Sequence, residues 1–516
     1  MKHIFLYGPS GSGKSTIGKV LAQNLTLEYV DLDIEIEHQA GATFVQIMSE
    51  LGEEAFRDLE TNALKKVCGE QASVIALGGG ALLRESNRIL AESYGQVIFL
   101  NTDMATLIER LSKAENQRPF LAGDLVDKLK SLLETRAAHY GSFTRRVDST
   151  ETPEKVAWSI QLMLGRYNIR GTAEGYDVIS QAGALDTLGD LFQARELGGP
   201  VLVVSDTNVA VLYSECVLAS LQRVGYQASG LVIQAGEAYK TIETVSTLWS
   251  GFLESEMDRR STVVALGGGV VSDLAGFAAA TFLRGCGWVA IPTTLLSMVD
   301  ASLGGKTGFD LPEGKNLVGA FHSPRLVLTD LEVLSTLPEE EFCSGLAEVV
   351  KHGVIGDPQL FDLCAQGRNA VNASLAEVVL RAMAVKVKII MADPYEKNIR
   401  AALNLGHTVG HALELVSGFS LRHGEAVGIG MIAEARLAEH LGVADKGLSE
   451  VLAEALLALG LPVKIPDDLQ HADLIRAMRV DKKKSAGVVY FSLPVRIGEV
   501  QVGVAIEDLK MVFEEV

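Results

Sequence analysis

Paired cysteines are missing from this chain. Its five, Cys68, Cys216, Cys286, Cys343 and Cys364, are scattered with no Cys-x-x-Cys spacing. A reduced, cytoplasmic protein is expected rather than a disulfide scaffold. Basic charge is also short. Lys and Arg number 46 against 65 Asp and Glu, a net charge of -19, which argues against general nucleic-acid binding. Apolar stretches of membrane-spanning length are scarce too. One, Val263 to Leu283, is long enough, but Gly267-Gly268-Gly269 and Asp273 interrupt it. A buried strand, turn and helix are expected there, and no membrane partner. The first residues run directly from Met1 into a glycine loop and lack the shape of a signal peptide.

What is present describes a large globular protein. The 516 residues are 48% hydrophobic and 22% charged, enough for two to four domains. Over residues 1–165, short apolar strands (Ile4 to Tyr7, Val74 to Leu77, Val97 to Leu100) alternate with helical periodicity, which predicts a parallel α/β layer. The pattern breaks into mixed polar residues over 166–175, expected to be a linker. A second α/β domain is expected over 176–337, with strands at Val201 to Val204, Gly230 to Ile233, Thr262 to Leu266 and Trp288 to Ile291. From 338 to 516 the pattern turns mostly helical, with a late local hairpin around Val488 to Leu493 and Val500 to Val504.

Gly8-Pro-Ser-Gly11-Ser12-Gly13-Lys14-Ser15-Thr16 follows the first strand and matches the P-loop pattern. Backbone N–H groups of Gly11, Ser12, Gly13 and Thr16 suit phosphate oxygens. Lys14 reaches the β- and γ-phosphates of ATP, and Ser15 ligates Mg²⁺. Further along stand Val30-Asp31-Leu32-Asp33, Phe56-Arg57, Leu77-Gly78-Gly79-Gly80, Gln117-Arg118-Pro119 and Thr135-Arg136 before Tyr140. In this order and spacing, residues 1–165 resemble shikimate kinase. The resemblance implies that Asp33, Arg57, Gly79, Gly80 and Arg136 hold shikimate. It makes Asp33 the base, gives Asp31 to Mg²⁺, and has Arg118 neutralise the transferring phosphoryl group.

His407, His411 and His423 lie close together in a chain with only 10 histidines. His407 and His411 are four apart, so on a helix they share a face with Glu414. That spacing alone points to His407 and His411 as a ligand pair for a divalent ion such as zinc. Other motifs extend the picture: Gly236-Glu237-x-x-Lys240, Gly267-Gly268-Gly269-Val270-Val271-Ser272-Asp273, Leu283-Arg284, Pro292-Thr293-Thr294, Val299-Asp300, Gly304-Gly305-Lys306, Gly314-Lys315-Asn316, Gly345-Leu-Ala-Glu348-Val-Val-Lys351, Asn404-x-Gly-His407-x-x-Gly-His411 and Arg422-His423-Gly-Glu425. Together they make residues 175–510 similar to 3-dehydroquinate synthase.

This second resemblance moves the metal ligands to Glu348, His407 and His423, with Zn²⁺ or Co²⁺ implied and His411 facing substrate. There is no Gly-x-Gly-x-x-Gly fingerprint. NAD contacts are nonetheless implied at Asp206, Asn208, Glu237, Lys240, Gly268, Gly269, Val270, Val271, Ser272, Asp273, Thr293, Thr294, Lys306 and Lys315. The implied substrate is 3-deoxy-D-arabino-heptulosonate 7-phosphate, gripped by Arg284, Lys306, Asn316, Lys351, Lys386, Arg400, Asn404 and His411. Six of these eight can carry positive charge, which suits two anionic ends. Asp300, Lys306, Lys351, Lys386, Arg400 and His411 are the catalytic candidates, and one of Lys482, Lys483 and Lys484 enters the site. A departure stands after Lys386, where Asp393-Pro394-Tyr395-Glu396 replaces the expected Asp-Glu-x-Glu.

The combined expectation is a bifunctional enzyme of the shikimate pathway, homodimeric through its synthase part. Two alternatives stand beside it. The second half could serve another sugar-phosphate cyclisation or a polyol dehydrogenation, or the P-loop domain could be a nucleotide sensor.

Overall fold

In the first parallel sheet, consecutive residues of one strand enter opposite cores. The computed structural model describes residues 2–113, 125–172, 175–481 and 488–513, and they divide into two units, Met1–Asn168 and Ile169–Val516. The first unit carries β1 (His3–Tyr7), β2 (Glu28–Asp31), β3 (Ser73–Ala76), β4 (Gly95–Asn101) and β5 (Arg146–Asp148) in the order β2-β3-β1-β4-β5. Phe5, Tyr7, Ile75, Val97 and Phe99 pack into one core. Ile4, Leu6, Val74, Ile98 and Leu100 pack into the other. Both faces are therefore buried, which is why these strands read as continuous apolar runs rather than as alternation.

The second unit holds a sheet in which six strands run in the order β7-β14-β11-β10-β8-β9. They are β7 (Tyr176–Ser180), β8 (Val201–Asp206), β9 (Ala228–Ile233), β10 (Thr262–Gly267), β11 (Gly287–Pro292) and β14 (Leu326–Thr329), while β6 (Arg166–Ile169) spans the boundary between the units. The pairs from β7 through β9 are parallel. The hairpin of β12 (Lys306–Leu311) and β13 (Gly314–Phe321) stands apart from this sheet. The run from Val263 resolves into β10 and the helix Gly269–Thr281. No helix among the described residues is long and apolar enough to cross a membrane.

Residues 166–169, expected as linker, instead form β6. The reason is local: Tyr167 and Ile169 are buried while Arg166 and Asn168 are not. Four residues of period-two alternation make a strand, but they are too few to stand out beside the polar residues that follow.

After β14 the chain becomes helical, and the helix Glu339–Gly356 packs against Leu375–Ala392 and His423–His440. Helix His407–Val416 packs on His423–His440. A Cβ on Gly424 would lie 2.0 Å from Ser344 O, so only glycine lets the His423 helix meet the Glu339–Gly356 helix here. The late hairpin is present as β15 (Val489–Arg496) and β16 (Glu499–Ile506).

Candidate active sites

The loop from Gly8 to Gly13 joins β1 to the helix Lys14–Leu25. Gly11 and Gly13 take φ of 87° and 91°, a region that glycine enters without strain. Lys14 Nζ donates to Gly8 O at 2.8 Å and to Pro9 O at 2.9 Å, so the side chain lies across its own loop. Ser15 Oγ donates to Asp31 Oδ2 at 2.8 Å, and Tyr29 OH donates to the same oxygen at 3.0 Å. Asp31 Oδ1 accepts from Asp33 N at 3.2 Å, which ties the two aspartates into one turn. Thr16 is exposed in the first turn of the helix.

Gly78, Gly79 and Gly80 form a floor on which distant residues converge. A Cβ on Gly80 would meet Arg57 Nη2 at 2.7 Å, and one on Gly78 would meet Asp33 Oδ1 at 2.9 Å. Arg136 Nη1 donates to Gly79 O at 2.8 Å and Tyr140 OH donates to it at 2.9 Å. Asp33, Arg57, Gly79, Gly80 and Arg136 thus share one place. Arg118 lies outside the described residues.

In the second unit, Glu348, His407 and His423 offer ligand atoms that all lie within 4.8 Å of one another. His407 Nε2 and His423 Nε2 stand 3.6 and 3.5 Å from Glu348 Oε1. That oxygen is buried and has no hydrogen-bond partner in the described structure, an arrangement that is costly unless something fills it. His407 Nδ1 donates to Leu405 O at 3.1 Å, which leaves Nε2 with a free lone pair. One carboxylate oxygen and two imidazole nitrogens fit a catalytic divalent ion that keeps open positions. Burial raises the Glu348 pKa, but Lys351 and the two histidines outweigh it and hold the carboxyl well below its ordinary range. Burial and the Lys351 charge lower His407 well below the usual imidazole value. A neutral His407 and an ionised Glu348 are the forms a metal requires.

Beside this triangle lies a knot of charge. Lys386 Nζ donates to Asp300 Oδ1 at 2.6 Å and to Asp300 O at 2.7 Å. Lys351 pairs with Glu348 Oε2 and stands 4.0 Å from Asp300 Oδ1. Burial lowers the Lys386 pKa to about 8 against the pull of Asp300. Arg400 is 2% exposed and donates to Gly304 O at 3.3 Å and to Pro394 O. Glu396, with a left-handed φ of 56°, pairs with Lys306 and accepts from Asn404 Nδ2 at 3.4 Å.

Of the residues expected to meet NAD, Asp206, Gly268 and Thr293 stand at the carboxyl ends of β8, β10 and β11, where open α/β sheets bind ligands. Asp206 Oδ1 accepts from Asn208 N and Val209 N at 2.8 and 3.0 Å. Lys240 Nζ is buried between Asp273 Oδ2 at 2.7 Å and Asn316 Oδ1 at 2.5 Å, with Glu237 at 3.9 Å. Gly268 precedes the helix that carries Val270, Val271 and Ser272. Thr293 N donates to Gly267 O at 3.0 Å, and Thr294 Oγ1 accepts from Ser297 N at 3.1 Å. Lys315 Nζ donates to Glu414 Oε1 at 3.0 Å.

A family model described as 3-dehydroquinate synthase N-terminal matches residues 230–344, and one described as 3-dehydroquinate synthase C-terminal matches 345–484. The 3-dehydroquinate synthase of Symbiobacterium thermophilum is 48% identical over 336 residues, spanning 64% of this chain and 94% of its own length. The chain belongs to the 3-dehydroquinate synthase family. A shikimate kinase domain precedes the synthase, with the shikimate kinase model matching residues 10–164. The 3-dehydroquinate synthase of Synechocystis is 42% identical over 340 residues, covering 64% of this chain and 94% of its own. Among solved structures, a 2-epi-5-epi-valiolone synthase from Streptomyces hygroscopicus with NAD⁺ and Zn²⁺ bound is 32% identical at a TM-score of 0.59. It covers 66% of this chain and 94% of its own.

Within the synthase unit, helical spacing misled in one respect. His407, His411 and Glu414 do not form a ligand group among the described residues. The His411 ring lies 5.3 Å from that of His407, but Glu414 faces the other nitrogen of His423, at 3.6 Å from Nδ1. The helices cross so that Glu348, not Glu414, completes the group with His407 and His423, which no single-helix pattern can reveal. Ser272, implied as an NAD contact, donates its N–H to Gly268 O at 3.1 Å. Arg284 is exposed at a φ of 69°, and no described contact draws it into the site. Lys482, Lys483 and Lys484 lie outside the described residues.

Three residues were missed from sequence. Glu60, 1% exposed, holds Arg57 Nη1 at 2.9 Å, yet in sequence it is an ordinary helical carboxylate. Glu414 was noted only for its helical face. His352 is fully buried with Nε2 3.7 Å from Asp300 Oδ1, and burial with the Lys351 charge lowers its pKa to about 3. Its place directly after Lys351 was the only available signal.

Proposed function

We propose that the kinase unit transfers the γ-phosphoryl group of ATP to shikimate and that the synthase unit cyclises 3-deoxy-D-arabino-heptulosonate 7-phosphate to 3-dehydroquinate with release of phosphate. The domain limits that go with this reading are 1–165 for the kinase, 176–337 for NAD and 338–516 for metal and substrate. One observation carries the synthase reading: three residues from three helices aim a carboxylate oxygen and two imidazole nitrogens at one point.

In the kinase site, Arg57 and Arg136 would pair the shikimate carboxylate over the glycine floor, and Asp33 would take the proton of the attacked hydroxyl. Lys14 and Ser15, with Asp31, would hold the phosphates and Mg²⁺. In the synthase site, Glu348, His407 and His423 would hold Zn²⁺ or Co²⁺. Such an ion would supply Lewis-acid polarisation of a substrate hydroxyl, and NAD would supply reversible hydride transfer. Lys351, Lys386 and Arg400 supply a buried positive wall for the anionic ends of the substrate, joined by Lys306, Asn316, Asn404 and His411, while exposed Arg284 is assigned to substrate on the resemblance alone. Asp300 keeps Lys386 charged and aimed. Asp206, Glu237 and Asp273 suit ribose hydroxyls, while the Gly268–Gly269 turn lets a pyrophosphate approach the backbone.

A homodimer through the synthase unit and a cytoplasmic setting complete the proposal. The valiolone synthase likeness raises a second cyclisation as the alternative, but the relatives at 42 and 48% identity favour 3-dehydroquinate. The deciding experiment presents purified protein with each substrate separately. Steady ADP formation should depend on shikimate, and phosphate release from the heptulosonate phosphate should proceed without net NADH. A zinc-selective chelator should stop only the second reaction. Phosphate release that survives His423→Ala at the wild-type rate would overturn the metal assignment.

A further inference from the structure

Glu434 is fully buried on the helix His423–His440, and none of the assignments above uses it. A carboxylate in that position is unfavourable unless its oxygens are hydrogen-bonded. Its Oε2 accepts from Gly406 N at 2.6 Å, and its Oε1 lies 3.4 Å from Val409 N. Both donors belong to the buried N-terminal end of the helix His407–Val416, where negative charge is favoured. The approach is set by glycine. A Cβ on Gly430 would lie 2.1 Å from Gly406 O, so any side chain there would push the two helices apart.

The bond to Gly406 N has a second end. Gly406 N–H and Leu405 C=O belong to the same peptide group, and Leu405 O accepts from His407 Nδ1 at 3.1 Å. A negative acceptor on the N–H side polarises the peptide and makes its carbonyl a better acceptor. The chain of contacts therefore runs carboxylate, peptide, imidazole. It fixes the His407 tautomer with the proton on Nδ1 and Nε2 toward Glu348.

We propose that Glu434 is a positioning residue for the metal ligand His407, acting through the single peptide group between Leu405 and Gly406. It does the work that a carboxylate bonded directly to a metal-bound histidine does elsewhere. The proposal rests on the assignment of a divalent ion to Glu348, His407 and His423.

The test uses the full chain stripped of metal and titrated with Co²⁺ against a chromophoric chelator, with the visible Co²⁺ absorption as a second readout. Wild type should bind Co²⁺ in the synthase unit and His407→Ala should not. Failure of that pair would overturn the metal assignment itself. Glu434→Gln keeps an oxygen acceptor and loses the charge, while Glu434→Ala loses both. Affinity should fall in the order wild type, Gln, Ala, by roughly 10- to 100-fold for Ala, with a shifted Co²⁺ band. Glu439→Gln is the control. Glu439 sits on the same helix, nearly buried, and accepts from Ser449 N at 2.7 Å, away from the metal ligands. It should leave affinity and band unchanged. If Glu434→Ala does not fold, Glu434→Gln against Glu439→Gln decides. Wild-type affinity and band in Glu434→Gln and in any folded Glu434→Ala would overturn the proposal, as would an equal loss in Glu439→Gln.

Discussion

Glu348 and Glu414 face opposite nitrogens of one imidazole ring: His423 Nε2 lies 3.5 Å from Glu348 Oε1 and His423 Nδ1 lies 3.6 Å from Glu414 Oε2. Glu414 also accepts from Lys315 Nζ at 3.0 Å, so the β12–β13 hairpin is joined to His423 through one carboxylate. Glu414→Gln should weaken metal binding by about 10-fold or more, because a partner that orients a ligating histidine is lost. Chelator competition measures the affinity. An unchanged value would mean that His423 is oriented without Glu414.

Lys386 should give the synthase reaction a basic limb. Burial favours its neutral form and lowers the pKa to about 8. It is charged below that value and loses its hold on Asp300 above it. Phosphate release, measured as kcat/KM against pH, should fall as pH rises through about 8. In Lys386→Arg the limb should move upward, since guanidinium stays charged. A limb that does not move would assign it to another group.

Glu60→Gln should raise the KM for shikimate by freeing Arg57 from its buried partner. It should also destabilise the first unit by about 2 kcal/mol, since Arg57 loses a charge-assisted bond and keeps only its pair with exposed Glu53. Kinase kinetics and urea unfolding check the two halves. A stability loss with unchanged KM would make Glu60 purely structural.

Lys14→Met should lower kinase turnover by about 10²-fold or more, in the range found when one transition-state donor is removed, and leave phosphate release from the heptulosonate phosphate unaffected. Assaying both reactions on the same preparation separates a local defect from misfolding.

Legibility in the sequence followed the range of the interaction. The strand, glycine loop and helix around Lys14 could be read because their determinants lie within a few residues. The alternation of Arg166 to Ile169 was real but too short to outweigh its polar neighbours. The metal triangle could be named through family resemblance and not through spacing, because Glu348 and His407 meet only when their helices cross. Glu414 and Glu434 were harder still. Both are buried carboxylates on helices, and their partners are chosen by which helix end packs above them. No local pattern distinguishes them from solvated glutamates.

The posture of Lys14 bears on how the kinase divides affinity from turnover. Its ammonium already satisfies the carbonyls of Gly8 and Pro9, so an arriving nucleotide would trade partners with it rather than add them. An exchange of that kind contributes little to ground-state binding. Its value would come later, as charge shifts along the migrating phosphoryl group and the lysine gains an attraction the carbonyls could not offer. A nucleotide would therefore lodge almost as tightly without this side chain, and then wait.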